Sequence, residues 1–261
     1  METLQFIRIT DPAIIEQLRT GYINHLPLSQ EYYLELLVNT SSLYEIHIDG
    51  KSAGYFFLSP NNILVEYYVR PGWVNMMEEI FGLILKEFRI KKALCKTFDT
   101  DLLFCCHAFQ KKSSTAGYLF RDYNANPIVS TPPEITVRRA DMADEAQIIA
   151  VNEEVFDHPE EVGQYIRSQQ IFLFEKEGSL VGFGIYSPVF HGRKDYDIGM
   201  LVTPAYRNQG YGVEIIRYLV NFCRQNGWNP NAGCAAENIA SRKCLEKAGF
   251  ITRHRLLKFL F

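Results

Sequence analysis

The chain repeats itself. Asp49-Gly-Lys-Ser-Ala-Gly-Tyr-Phe-Phe-Leu-Ser-Pro60 aligns without a gap on Glu177-Gly-Ser-Leu-Val-Gly-Phe-Gly-Ile-Tyr-Ser-Pro188, an offset of 128 positions. Both glycines and the Ser-Pro coincide, and an aromatic residue follows the second glycine in each copy. Val69-Arg-Pro71 resembles Val202-Thr-Pro204, and Gly117-Tyr-Leu-Phe120 echoes Gly249-Phe-Ile-Thr252. Two halves of one fold follow from this. A length of 261 residues suits one large or two small domains, each able to bury a core without disulfides. The break falls between Tyr123 and Pro133, where Asn124, Asn126, Pro127, Ser130, Thr131, Pro132 and Pro133 make a polar, proline-bearing linker. The expected domains are therefore 1–130 and 134–261.

The second half reads as alternating elements. Short strands are expected at 135–139, 171–175, 180–186, 195–202 and 231–236, with a closing strand at 250–261. Ala143 to Phe156 carries Ile148, Ile149, Val151 and Val155 at helical spacing, and Glu160 to Ser168 predicts a second helix. Tyr211 to Gln225 places Ile215, Ile216, Leu219, Val220 and Cys223 on one helical face before an Asn226-Gly227 stop. Ile239 to Ala248 predicts a helix stopped by Gly249. The class is α/β: a mixed sheet with helices on both faces.

Charge and cysteine usage narrow the functional classes. With 27 basic and 30 acidic residues the net charge is −3, which is not the footprint of a dedicated nucleic-acid binder. Lys86, Arg89, Lys91, Lys92 and Lys96 cluster locally, as a solvated helix end does. No apolar run approaches the roughly 20 residues of a membrane span, so no membrane role is expected. The six cysteines contain no C-x-x-C pair and read as reduced thiols of a cytoplasmic protein. Cys105-Cys106-His107 are too close in sequence to converge on one tetrahedral ion, and no metal is expected.

The most informative stretch is Val202-Thr-Pro-Ala-Tyr-Arg-Asn-Gln-Gly-Tyr-Gly-Val213. A strand ends, Pro204 breaks it, and Gly210 and Gly212 open a long amphipathic helix. Glycines there let main-chain N–H groups turn toward a ligand, and the positive end of the helix dipole lies behind them. Such a geometry cradles a pyrophosphate, with Arg207 adding charge-assisted contacts.

The pattern Val-x-Pro-x-x-Arg-x-x-Gly-x-Gly resembles the acetyl-CoA signature of the GNAT superfamily of N-acetyltransferases. A second GNAT-like block follows at Asn238-Ile-Ala-Ser-Arg-Lys-Cys-Leu-Glu-Lys-Ala-Gly-Phe250. The resemblance covers residues 134–261. It implies two GNAT-like domains, each a mixed, mostly antiparallel sheet flanked by helices. It also implies acetyl-CoA as co-substrate and a primary amine of a small molecule or peptide as acceptor. By position, Met200, Leu201 and Val202 would pair with the pantetheine arm. Arg207, Asn208, Gln209, Gly210, Tyr211, Gly212 and Val213 would hold the pyrophosphate. Asn238 would bond the pantetheine arm or the adjoining backbone, and Ser241 lies one turn on.

Two family positions are changed. The tyrosine that commonly protonates the departing thiolate is replaced by Leu245, and the common glutamate base by Gly233. A protonated amine must lose a proton before it attacks a thioester. Asp195 and Asp197 lie two apart on a strand leading into the cofactor edge, so they share a face if no bulge intervenes. Asp197, the nearer, is the first choice as base; Glu153 and Glu154 are second choices. For the acid, Tyr211, Tyr196 and Cys244 are candidates, while Cys234 reads as a small core residue. His158 and His191 sit in loops.

The first half keeps Val-x-Pro but continues Gly72-Trp-Val-Asn-Met-Met-Glu-Glu79, where Glu78 and Glu79 would repel a pyrophosphate. It is expected to be a degenerate copy that shapes the acceptor groove, pairs two chains in a homodimer, or supports the second half. Two rival functions remain open: a non-catalytic acyl-CoA-binding module, and an acyltransferase for longer acyl groups.

Overall fold

The computed structural model describes residues 3–124, 134–153 and 155–261. The linker expected at 123–133 lies outside the described residues from 125 on, as does Glu154. Two compact units form: one from Met1–Leu119, Ala235–Glu237 and His254–Phe261, the other from Phe120–Cys234 and Asn238–Arg253. Chain order and unit membership thus part company at the edges, where the last strand begins in one unit and ends in the other.

The first unit contains β1 (Leu4–Ile9), α1 (Pro12–His25), α2 (Tyr32–Asn39), β2 (Ser42–Ile48), β3 (Lys51–Leu58), β4 (Ile63–Val69), α3 (Met77–Glu87), β5 (Lys92–Lys96), α4 (Thr100–Phe109) and most of β6 (Lys112–Tyr123). Strand alternation splits its side chains into two cores. Phe56, Tyr67, Phe81, Ile84 and Cys105 pack on the α3–α4 side. Tyr55, Phe57, Val65, Leu18 and Leu34 pack on the α1–α2 side.

A buried charge network lies among these residues. Glu66, with no exposed surface, accepts from Arg19 (Nε at 3.2 Å, and Nη2), from Gln30 Nε2 at 3.0 Å and from Tyr55 Oη at 3.1 Å. Arg19 also grips Glu35 at 2.7 and 3.0 Å. Burial works against the Arg19 charge, but Glu66 and Glu35 outweigh it and hold the guanidinium protonated. Beside it, buried Lys96 donates to Tyr22 Oη and lies 3.4 Å from Asp99, while Tyr22 donates to Asp99 at 2.6 Å.

The second unit contains β7 (Thr136–Arg139), α5 (Glu145–Val151), α6 (Pro159–Arg167), β8 (Ile171–Lys176), β9 (Ser179–Pro188), β10 (Asp195–Val202), α7 (Tyr211–Gln225), β11 (Asn229–Ala235, its last residue in the first unit) and α8 (Ile239–Ala248). It ends with the start of β12 (Phe250–Leu260). Its strands run in the order β11-β10-β9-β8-β7. The β8–β9, β9–β10 and β7–β8 pairs are antiparallel and β10–β11 is parallel.

The core under α5 and α6 holds Ile148, Val162, Ile166, Leu173, Phe183 and Leu201. The other face is covered by Ile215, Ile216, Leu219, Val220 and Cys223 of α7, the five residues expected there. The helix expected at 143–156 is shorter. It ends at Asn152, whose Oδ1 accepts from the N–H groups of Val155 and Phe156 at 3.0 and 3.1 Å. A side chain that satisfies the backbone this way offers it an alternative to another helical turn.

The repeat is visible in backbone detail. Asp49 and Gly50 take φ of 49° and 75°; Glu177 and Gly178 take 50° and 76°. Two consecutive positive φ values suit the twist of a tight hairpin. A Cβ on Gly54 would lie 2.1 Å from Tyr68 O, and one on Gly182 would lie 2.2 Å from Leu201 O. The same close crossing therefore occurs once in each unit.

In each unit one parallel strand pair opens. β4 meets β5 only at Ile63↔Lys92 and Leu64↔Ala93. β10 meets β11 only at Asp195↔Asn229, Tyr196↔Pro230 and Asp197↔Asn231. In the first unit β5 pairs antiparallel on its other side with β12, from Leu256↔Lys96 to Leu260↔Lys92.

Candidate functional site

The site builds outward from β10. Its pairing with β9 continues to Val202, whereas its pairing with β11 stops at Asp197. Met200, Leu201 and Val202 thus lie on the stretch where the strand has parted from β11 and its main chain can take another partner. No register shift interrupts β10, so Asp195, Asp197 and Leu201 share the face packed by α5 and α6, where Leu201 is buried. Met200 points the other way, toward the start of α7.

Thr203 ends the strand, its Oγ1 donating to Leu180 O at 3.1 Å and Val181 O at 3.0 Å. A short 3₁₀ turn at Pro204–Tyr206 follows, then Arg207, Asn208, Gln209 and Gly210, all exposed. Asn208 has φ of 60° and Gly210 a φ of 91°. Left-handed residues in such a loop turn successive N–H groups to one side, and the first N–H groups of α7 have no intrahelical acceptor. Tyr211, Gly212 and Val213 form that first turn. A Cβ on Gly212 would lie 3.0 Å from Cys244 Sγ and 3.2 Å from Met200 Cε, two side-chain ends that would have to shift by a few tenths of an ångström.

Arg207 is already engaged. Its Nε donates to Val202 O at 3.1 Å and its Nη2 pairs with Glu153. Glu153, a second choice as base, is the partner of this guanidinium. Asn238 caps α8, its Oδ1 accepting from Ser241 N at 2.9 Å. Ser241 is half-buried on the first turn of α8.

Asp195 accepts from Asn229 Nδ2 at 3.2 Å. Asp197 sits on the last paired rung, between Ser187 of β9 and Asn231 of β11. The three side chains form one row across three strands at the root of the opening. Ser187 and Asn231 are 4% and 3% exposed. Ser187 Oγ and Asn231 Nδ2 have no hydrogen-bond partner among the described residues.

The three candidate acids fare differently. Tyr211 is buried with its hydroxyl between Lys176 Nζ at 3.2 Å and Glu134 Oε1 at 3.5 Å, at the far end of β8, two strands from β10. Tyr196 stacks on Trp228 at 4.0 Å and 12°, on the face opposite Asp197, and burial raises its phenol. Both are engaged away from the opening. The Cys244 thiol lies beside Gly212, with burial pushing its pKa up to about 11. Leu245 is buried. Among the described residues, no group of three or more potential metal ligands converges, and no helix is long and apolar enough to cross a membrane.

Residues 13–123 match the family profile described as Acetyltransferase (GNAT) domain, and residues 140–250 match Acetyltransferase (GNAT) family. The chain belongs to the GNAT family. This GNAT chain is 34% identical over 65 residues to YjdG, an uncharacterized N-acetyltransferase of Bacillus subtilis (strain 168). That match spans 24% of this chain and only 39% of the relative. Among solved structures, a GNAT-family acetyltransferase from Colwellia psychrerythraea shares the fold with a TM-score of 0.88 at 18% identity, over 99% of both chains. A tandem GNAT protein from the clavulanic acid biosynthesis pathway aligns with a TM-score of 0.59 at 11% identity, over 98% of both chains. Both halves are thus GNAT domains, including the first, where the sequence shows no glycine loop.

Three features of this tandem GNAT were not legible in its sequence. They are the Arg207–Glu153 pair, the row Ser187–Asp197–Asn231, and the buried network around Glu66. Each joins residues from separate elements. Only the register of β9, β10 and β11 would have predicted the row.

Proposed function

We propose that the protein is an acetyl-CoA-dependent N-acetyltransferase, with its cofactor site in the second unit and a primary amine of a small molecule or peptide as acceptor. The observation that carries this reading is the parting of β10 from β11 directly before a left-handed loop and the N-terminus of α7. An open strand edge suits the amide-bearing pantetheine arm, and the loop with its helix suits a pyrophosphate. Met200, Leu201 and Val202 would pair with the arm. Arg207, Asn208, Gln209, Gly210, Tyr211, Gly212 and Val213 would hold the phosphates, with Asn238 and Ser241 flanking from α8. When bound, acetyl-CoA supplies an activated acetyl group.

The protein's own part is to bind, orient and deprotonate. Asp197 is the acceptor's proton-accepting group: it lies at the root of the opening, on the sheet face away from α7. Asp195, tied to Asn229, helps make that end of the strand attractive to a cation. Positioning of amine and thioester supplies much of the rate, which suits a site whose usual acid and base positions are Leu245 and Gly233.

Calorimetric titration with acetyl-CoA, followed by thiol release against a panel of amines, tests the reading. One site per chain with micromolar affinity and thiol release is expected. Binding without release would favour an acyl-CoA-binding module, which the loss of both usual proton-transfer groups also fits. Absence of binding would remove the loop assignment. Membership of the GNAT family supports a cytoplasmic location, which we adopt.

A further inference from the structure

Ser187 and Asn231 pose a question the cofactor does not answer. Both are almost fully buried, and each keeps a polar atom without a partner among the described residues. An unpaired buried polar group costs stability, so such groups are usually satisfied. These two flank Asp197 on the same face of the sheet, one strand to either side. The face is the one under α5 and α6, opposite Met200 and the start of α7. The row therefore lies on the sheet face opposite Met200 and the first turn of α7, beside the point where β10 and β11 part.

We propose that Ser187, Asp197 and Asn231 form the acceptor subsite, and that it selects amines flanked by hydroxyl groups: vicinal amino alcohols and amino sugars, rather than alkyl or aromatic amines. The inference rests on the reading of Asp197 as the group that receives the amine.

Spacing supports the class. Neighbouring strands lie about 4.8 Å apart, so the row presents three polar groups at roughly that interval. An ammonium on Asp197 with hydroxyls on its neighbouring carbons bridges such gaps with hydrogen bonds of about 2.9 Å. A hydroxyl both donates and accepts, so it satisfies Ser187 Oγ and either orientation of the Asn231 carboxamide. An alkyl amine of the same shape would leave both groups buried and unpaired. Sites built to bond a substrate hydroxyl reject analogues that lack it for this reason.

The test uses the full chain, serinol (2-amino-1,3-propanediol) and its deoxy analogue 2-aminopropane, with rates referred to the free amine. Acetyl-CoA binding is measured first by calorimetry. Serinol is expected to exceed 2-aminopropane in kcat/KM by about tenfold or more. Ser187→Ala and Asn231→Leu should each cut that preference severalfold while leaving acetyl-CoA affinity unchanged. Their melting temperatures should hold or rise, because each substitution deletes a buried group with no protein partner. A structural role would lower the melting temperature instead. Ser187→Ala removes a single oxygen, so the comparison stands even if Asn231→Leu does not fold. Equal rates for the two amines, or a preference untouched by both substitutions, would overturn the subsite. So would a marked loss of stability in Ser187→Ala, or acetyl-CoA binding with no thiol release from serinol. Failure to bind acetyl-CoA would overturn instead the reading on which the subsite rests.

Discussion

A methyl group on Gly182 would come within 2.2 Å of the Leu201 carbonyl oxygen and 3.1 Å of Val202 Cα. Backbone cannot yield as the end of a side chain can, so β9 and β10 cross here only because residue 182 has no Cβ. Gly182→Ala should destabilise the second unit by about 3 kcal/mol, the upper range of overpacking. Gly54→Ala should do the same to the first, where Tyr68 O stands 2.1 Å from the absent Cβ. Denaturant titration of both variants checks this, and wild-type stability in either would remove the strict equivalence of the two crossings.

Gly210→Asp should abolish acetyl-CoA binding without unfolding the protein. The added Cβ meets nothing within 4 Å, so the folded cost is that of a left-handed φ, about 1 kcal/mol. The new carboxylate would face the expected pyrophosphate. Calorimetry should register at least about a hundredfold loss of affinity, beside a nearly unchanged circular dichroism spectrum.

Asp197→Asn should lower kcat by about a hundredfold, the ordinary contribution of a general base, with acetyl-CoA affinity unchanged. Because the variant needs an amine already deprotonated, its rate should recover toward high pH. A wild-type pH–rate profile would remove Asp197 from the reaction.

Arg138 grips Asp144 through two contacts of 2.7 Å, and this pairing, against the opposing effect of burial, holds the Asp144 carboxyl below its usual range. The folded value lies under the unfolded one, so the stabilisation is present above the unfolded value of about 3.9 and fades as pH falls through the folded value. The melting temperature of Asp144→Asn should therefore trail that of the wild type by a constant gap near neutrality. That gap should narrow below about pH 4.

Glu66→Ala should destabilise the first unit by about 3–5 kcal/mol, as removal of one partner from a buried ion network does. Arg19 would retain Glu35, but Gln30 and Tyr55 would lose the hydrogen bonds they give to Glu66. Chemical denaturation monitored by tryptophan fluorescence, with Trp73 reporting on the first unit, measures the effect.

Local signals in the sequence were strong where chemistry and geometry are both local. Helix α7 begins and ends where the glycine loop and the Asn226-Gly227 stop imply, and α8 runs to Gly249, whose φ of 119° suits a helix end. The left-handed loop at Asn208 and Gly210 follows from its own residues. The spacing predicts too long an α5 because Ile148, Val151 and Val155 keep helical spacing across a break that Asn152 makes with its side chain. Tyr211 and Tyr196 looked available as acids because a sequence does not reveal which way a ring packs.

By itself the sequence determined the doubled GNAT architecture, the position of the candidate cofactor loop and the strand carrying Asp195 and Asp197. The doubling rests on two segments that match 128 positions apart, and the other two on residues within a few positions of one another, whose backbone preferences act before any distant contact forms. Only the tertiary structure decided that β12 pairs with β5, that Glu153 meets Arg207, and that Ser187, Asp197 and Asn231 stand in one row. Those relations join residues far apart in the chain. Strand register sets them, and register is chosen by burying the cores as a whole, not by any one segment.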